Sequence, residues 1–229
     1  MKKVERALSS LKAFLEQEAN YGISEYFFPE DLLNHTLDKT RFFSSLEEKL
    51  RTCKKCRLYK DAHKAVVGEG SLEARLMFVG EGPGREEDSQ GRPFVGRAGK
   101  LLTKIIEAMD YKRQEVYIAN VVKHRPPENR NPNPDEIKAC LPYLLLQIKL
   151  IKPKVICTLG KWATKTLVGN EEATISQLRG KFQPFTIIDI SPTIKIMPTY
   201  HPAYLLRNPA AKKEVWSDMK KIMQYLKKP

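Results

Sequence analysis

The chain has 229 residues, 41% of them hydrophobic, with nine each of Phe and Tyr and a formal charge of +13. That length fits one α/β domain with an appendage and buries a sizeable core, and the apolar and aromatic content excludes a disordered polyelectrolyte. No apolar run approaches the ~18 residues that span a bilayer, so a membrane-spanning helix is excluded as well.

Leu8, Leu11, Phe14 and Leu15 recur at helical spacing and predict an amphipathic helix over residues ~2–20. It has no apolar h-region and no small-residue cleavage site, so it does not read as a signal peptide. The expected location is therefore the cytoplasm, in association with the nucleoid. A less regular stretch runs to about Thr40, and a short helix around Leu46 to Leu50 leads into Cys53. Residues 1–45 read as an N-terminal helical extension and 46–229 as the main domain. The extension carries six basic and seven acidic side chains and the domain 34 and 20. The positive charge thus belongs to the domain, where a polyanion would dock.

The domain alternates strand and helix. Arg75 to Gly80 and Val116 to Val122 read as strands, with a helix from Ala98 to Met109 between them. Pro134 opens a helix to about Leu150, since proline is tolerated in a first turn. Lys154 to Leu159 is a third strand and Lys161 to Leu167 a helix. Phe182 to Ile190 reads as an edge strand or hairpin, Lys195 to Thr199 as a fourth core strand, and Ala210 to Leu226 as an amphipathic helix. This alternation predicts an α/β fold: three αβα layers around a central, mostly parallel four-stranded sheet. Arg125 to Pro134, rich in Pro and Asn, reads as a stiff loop.

Two distant segments stand at strand ends, where an open parallel sheet binds its ligands. One is Val79-Gly-Glu-Gly-Pro-Gly84, continuing through Gly91-Arg-Pro-Phe-Val-Gly-Arg-Ala-Gly99. The other is Thr199-Tyr-His-Pro-Ala-Tyr-Leu-Leu-Arg207. The glycine turn lacks the Gly-Lys-Ser/Thr of a P-loop, and Arg85 stands where a dinucleotide fingerprint has its last glycine. What remains is a tight turn that lets backbone approach a ligand, with Glu81 fixed between glycines. Glu86 reads as part of a solvated acidic loop. Cys53-Lys-Lys-Cys56 has metal-ligand spacing. Two ligand sets are open: Cys53, Cys56, Cys140 and Cys157, or His124 in place of Cys157. Spacing alone does not separate zinc from an iron–sulfur cluster, since both take thiolates.

Together with Asn120-Val-Val-Lys, the Arg125-Pro-Pro loop and Leu178-Arg-Gly-Lys181, these segments resemble the uracil-DNA glycosylase superfamily. They are most similar to its iron–sulfur-containing family 4. The resemblance covers residues 50–209 and leaves the first ~45 residues outside it. It implies a monofunctional enzyme, acting as a monomer on uracil in single- and double-stranded DNA. The enzyme flips the nucleotide out, hydrolyses the N-glycosidic bond and leaves an abasic site. Phe94 would stack on the base. Gly82 would border it, and Asn120 would read its O4 and N3–H edge. His201 would donate to O2 as charge develops, and Glu81, or else Glu87, would position water. Leu205 would be the wedge filling the vacated stack, and Arg207 a phosphate or loop anchor.

In related families a carboxylate occupies the position of Gly82, and a bulky Tyr that excludes thymine occupies that of Gly84. Family 4 usually has its third cluster ligand where this chain has His124. The resemblance therefore implies a [4Fe–4S] cluster on Cys53, Cys56, His124 and Cys140, with Cys157 on a strand position that is not usually a ligand. Two other readings are a covalent uracil-DNA-binding relative and a non-catalytic, metal-containing DNA-binding module. The covalent relative carries an inserted basic loop that has no counterpart between His124 and Pro134. A mere binder has no need of Glu81, Asn120 and His201 together. Nothing in the sequence identifies a sliding-clamp contact.

Overall fold

The computed structural model of the chain describes residues 39–170, 172–185 and 194–227. The helix expected over residues ~2–20 lies outside them. In chain order the described residues form α1 (Lys39–Arg51), β1 (Glu69–Gly70), β2 (Leu76–Gly80), α2 (Arg85–Gln90), α3 (Arg97–Ala108), β3 (Tyr117–Asn120) and α4 (Pro134–Ile151). Then follow β4 (Val155–Leu159), α5 (Lys161–Val168), α6 (Ile175–Leu178), β5 (Gln183–Pro184), β6 (Lys195–Thr199), α7 (Pro202–Arg207) and α8 (Lys212–Lys227).

The sheet order is β1-β3-β2-β4-β6-β5. The inner four strands are parallel and are the four expected core strands. The two-residue strands β1 and β5 add antiparallel edges, so the sheet has six strands rather than four. Every residue of β2, β3 and β4 is buried, as both-faced coverage requires. Alternation along the strands sorts the core into two layers. Met77, Val79, Ala119, Ile156 and Ile196 face α1, α4 and α5. Leu76, Phe78, Ile118, Cys157 and Met197 face α3 and α8.

Two boundaries move. The division between residues 45 and 46 falls inside α1, whose Phe43, Leu46 and Leu50 enter one core with α4. The α/β domain therefore includes residues from Lys39 onward. The acidic stretch after Gly84 is a short helix, α2, rather than a loop, with Glu86 exposed on it as expected. Glu87 and Asp88 are buried in it, and Gly84 with Glu87 forms its capping arrangement. The expected helix α4 starts at Pro134 behind an Asn133 cap whose N–H donates to Glu136 at 2.7 Å.

Candidate active site

The chain leaves β2 toward β3 on one side and returns to β4 on the other, so the sheet's switch point lies beside the end of β2. A cleft of about 510 Å³ opens there. Glu81, Gly82, Glu87, Phe94, Asn120, His201 and Arg207 all line it, from segments at or after the ends of β2, β3 and β6. The two segments singled out in the sequence converge as expected.

Asn120 is the last residue of β3, only 1% exposed. Its Oδ1 is buried and has no hydrogen-bond partner among the described residues. A buried orphan acceptor is costly, and a bound ligand that supplies a donor removes that cost. The backbone beneath it is pinned: Lys123 Nζ donates to the Asn120 carbonyl at 2.9 Å and to Gln147 Oε1 at 2.7 Å. Beside the amide stands Phe94, held at φ 51°, a strained value for a side chain of that size. Both pack over Gly80. A Cβ there would lie 2.5 Å from Asn120 Oδ1 and 2.5 Å from Phe94 Cζ, so only glycine lets the amide and the ring meet.

His201 caps α7. Its Nδ1 accepts the Ala203 N–H at 3.1 Å, which leaves Nε2 as the protonated, donating nitrogen. Burial, aided by the positive Arg207, pushes its pKa down to about 4. The imidazole is therefore neutral at physiological pH, a fixed N–H donor rather than a cation. Its ring centroid lies 5.6 Å from that of Phe94. Glu81 is half-buried, and desolvation raises its pKa to about 7. It is the carboxylate of the cleft whose charge state changes near neutrality.

Two expected roles are corrected. Glu87 lines the cleft, but its carboxylate is taken up by backbone. Oε1 accepts from Val95 and Gly96 at 2.9 and 3.0 Å, and Oε2 from Gly84 at 3.1 Å. It clasps the glycine turn to the Phe94 loop and is not the water-positioning group. Leu205 is 1% exposed and belongs to the core layer under α3 and α8, so it is no wedge. The helical turn of α7 sends the next residue outward instead: Leu206 is 46% exposed, and Tyr204 of the same helix lines the cleft. Gly82 and Gly84 both leave no space for a side chain unless a neighbour shifts. A Cβ on Gly82 would meet Val122 Cγ2 at 2.8 Å, and one on Gly84 would meet Glu87 Oε2 at 2.7 Å.

The stiff Arg125–Asn131 loop also reaches the cleft. It forms one wall of the cleft through Pro126, Asn129, Arg130 and Asn131. Arg130 is held bidentately by the fully buried Glu136, at 2.7 and 2.8 Å, and Arg57 approaches the same carboxylate at 3.3 Å. No sequence signal pairs these residues; the Arg-Pro-Pro run only announced a rigid loop.

Cys53, Cys56 and Cys140 pack against the same face of the sheet, while Cys157 sits on the opposite face. Cys157 thus drops out of any shared ligand set. Tyr143 donates its hydroxyl to Cys53 Sγ at 3.3 Å, and the Lys123 N–H donates to Cys140 Sγ at 3.2 Å. Burial raises the Cys56 thiol and pushes Cys140 up to about 12, and the neighbouring cysteines add to both. Burial pushes the His124 pKa down, which favours the neutral imidazole a metal needs. Among the described residues, no three His, Cys, Asp or Glu side chains stand together as a formed metal site.

An orphaned amide, an aromatic face, a neutral N–H donor and a desolvated carboxylate in one strand-edge cleft define a nucleobase-binding hydrolase site. Comparison with known proteins narrows the class. The uracil DNA glycosylase superfamily profile matches residues 67–220, about two thirds of the chain, and the chain belongs to that superfamily. It is 48% identical over 183 residues to a Type-4 uracil-DNA glycosylase of Sulfurisphaera tokodaii, spanning 78% of this chain and 82% of that protein. It is 45% identical over 185 residues to a Type-4 uracil-DNA glycosylase of Thermotoga maritima, spanning 80% of this chain and 94% of that one.

Proposed function

We propose that the chain is a monofunctional uracil-DNA glycosylase acting in DNA repair, and that its cleft takes an extruded deoxyuridine. The observation that carries this is the buried Asn120 Oδ1, without a partner among the described residues, beside the Phe94 ring and the His201 donor. Phe94 stacks on the base, and Asn120 pairs with its O4 and N3–H edge. His201 Nε2–H meets O2 as the C–N bond lengthens and negative charge collects on the base. The sugar becomes oxocarbenium-like, and a water held by Glu81 attacks C1′. Arg207 stands at the cleft mouth, exposed and suited to a phosphate. Leu206, not Leu205, is the apolar side chain offered to the gap in the stack.

The direct test is a labelled uracil-containing oligonucleotide, incubated with the protein, treated with alkali and run on a denaturing gel. Cleavage at uracil only after alkali is the expected result. An intact strand would favour a binding module, and an SDS-resistant retarded band a covalent trap.

A pH dependence follows from Glu81. Water positioning needs the carboxylate, so excision rises with pH through about 7 and levels above it. Glu81→Gln is expected to be slow and to lose that rise. A rise that survives in Glu81→Gln would assign it to another group. The linkage has the matching sign. The folded chain holds this proton more tightly than the unfolded chain, so ionising Glu81 costs stability as pH climbs from its ordinary 4.5 to about 7.

A [4Fe–4S] cluster on Cys53, Cys56, Cys140 and His124 completes the reading. The donor chemistry fits: buried thiols with raised pKa values are relieved when a metal takes up the thiolate, and the bonds to Cys53 and Cys140 sulfur suit cluster ligands. Such a cluster supplies a covalent tie between the Cys53–Cys56 turn and α4, or a site for electron transfer. Anaerobically purified protein is expected to carry iron and acid-labile sulfide, and His124→Ala to lower both. Full retention in that variant would remove His124 from the set.

A further inference from the structure

Leu178-Arg-Gly-Lys181 is part of the family resemblance but contributes nothing to the lining of the cleft. Its contacts lead to Asp218 of α8. Arg179 Nη2 lies 2.6 Å from Asp218 Oδ1, and the guanidinium covers the Tyr200 ring, 5.3 Å from its centroid. The other oxygen, Asp218 Oδ2, accepts the Thr199 hydroxyl at 2.7 Å. Gly180 has φ +70°, and a Cβ on it would lie 2.6 Å from Asp218 Oδ1, so the turn admits only glycine. Lys221 Nζ closes the turn by donating to the Gly180 carbonyl at 2.7 Å.

One buried carboxylate therefore grips two successive residues: Thr199 directly and Tyr200 through the arginine. The next residue is His201. A buried ion pair is a weak source of stability, because desolvation offsets its attraction. Here Arg179 Nε is also buried without a partner among the described residues. The network is better explained by what it holds in place.

We infer that Asp218, Arg179 and Thr199 are positioning residues for His201, fixing the Thr199–Tyr200 backbone so that Nε2–H meets the departing base. This rests on the reading of His201 as the donor. Thr199→Val removes the hydroxyl at nearly constant volume, and Thr199→Ser keeps it. Misplacing a catalytic group by about an ångström can cost roughly 100-fold in rate. Thr199→Val is expected to lower the single-turnover excision rate by roughly 10- to 100-fold with DNA affinity unchanged. Thr199→Ser is expected to stay near the parent. In a His201→Ala background, Thr199→Val is expected to cost nothing further, because the group it positions is gone.

A Thr199→Val rate equal to the parent overturns the inference. So does the same fold-loss in the His201→Ala background, which would mark a general structural effect. If His201→Ala alone excises at the parental rate, the donor reading falls first and this inference with it. Should Thr199→Val fail to fold, Arg179→Lys tests the same point. It keeps a charge for Asp218, loses the planar stack on Tyr200, and is expected to show the same split and the same non-additivity.

Discussion

His201→Ala excises uracil roughly 10²–10³-fold more slowly than the parent in a single-turnover assay, while binding abasic DNA with similar affinity. The rate falls because the donor acts where charge develops, not where substrate binds. The abasic product has no base for His201 to meet, so its affinity reports the DNA-binding surface alone. Three features of the fold make the donor effective. The Ala203 N–H occupies Nδ1 and fixes the tautomer. Burial keeps the ring uncharged down to about pH 4, so no proton has to leave before the N–H can serve. Proline at the start of α7 and the grip on Thr199 hold the backbone. His201→Gln retains an N–H donor without that fixed placement and is expected to fall between alanine and the parent. A parental rate for His201→Ala would remove the imidazole from the mechanism.

The parallel core was legible because β2, β4 and β6 are short apolar runs bounded by turn residues, and such runs have few other uses in an alternating chain. The convergence of Glu81, Phe94, Asn120 and His201 was legible for a related reason. Glu81, Asn120 and His201 follow or end strands, and parallel strands deliver their ends to one edge; Phe94 reaches it from the loop between α2 and α3. The errors share a different origin. Glu87 is a carboxylate beside Glu81 in sequence, and only the three backbone N–H groups around it reveal that its oxygens are occupied. Leu205 and Leu206 are identical in type and adjacent. Which one faces the core depends on the rotation of a six-residue helix, too short to show a helical period in the sequence. Composition carried no hint of Glu136 or Asp218, whose charges are matched by arginines distant in sequence or across the fold. Local pattern fixes strands and ends; burial of polar groups is settled by tertiary partners.

Asn120→Ala has the largest expected effect on chemistry. Two hydrogen bonds to the base edge, at about 1–3 kcal/mol each, correspond to roughly a 10²–10⁴-fold loss in excision. The loss falls on discrimination as well, because only an amide offers a donor and an acceptor together to O4 and N3–H. Stability should move the other way. Asn120 Oδ1 is buried without a partner among the described residues, and truncation removes that orphan. The Lys123 bond is to the backbone carbonyl and survives the substitution. The melting temperature of Asn120→Ala is therefore expected to equal or exceed that of the parent while activity collapses, the pattern of a residue kept for function at the expense of stability. Abasic-DNA affinity should again be unchanged. A variant that melts well below the parent would show that the amide braces the fold, and one that excises at the parental rate would move base recognition elsewhere in the cleft.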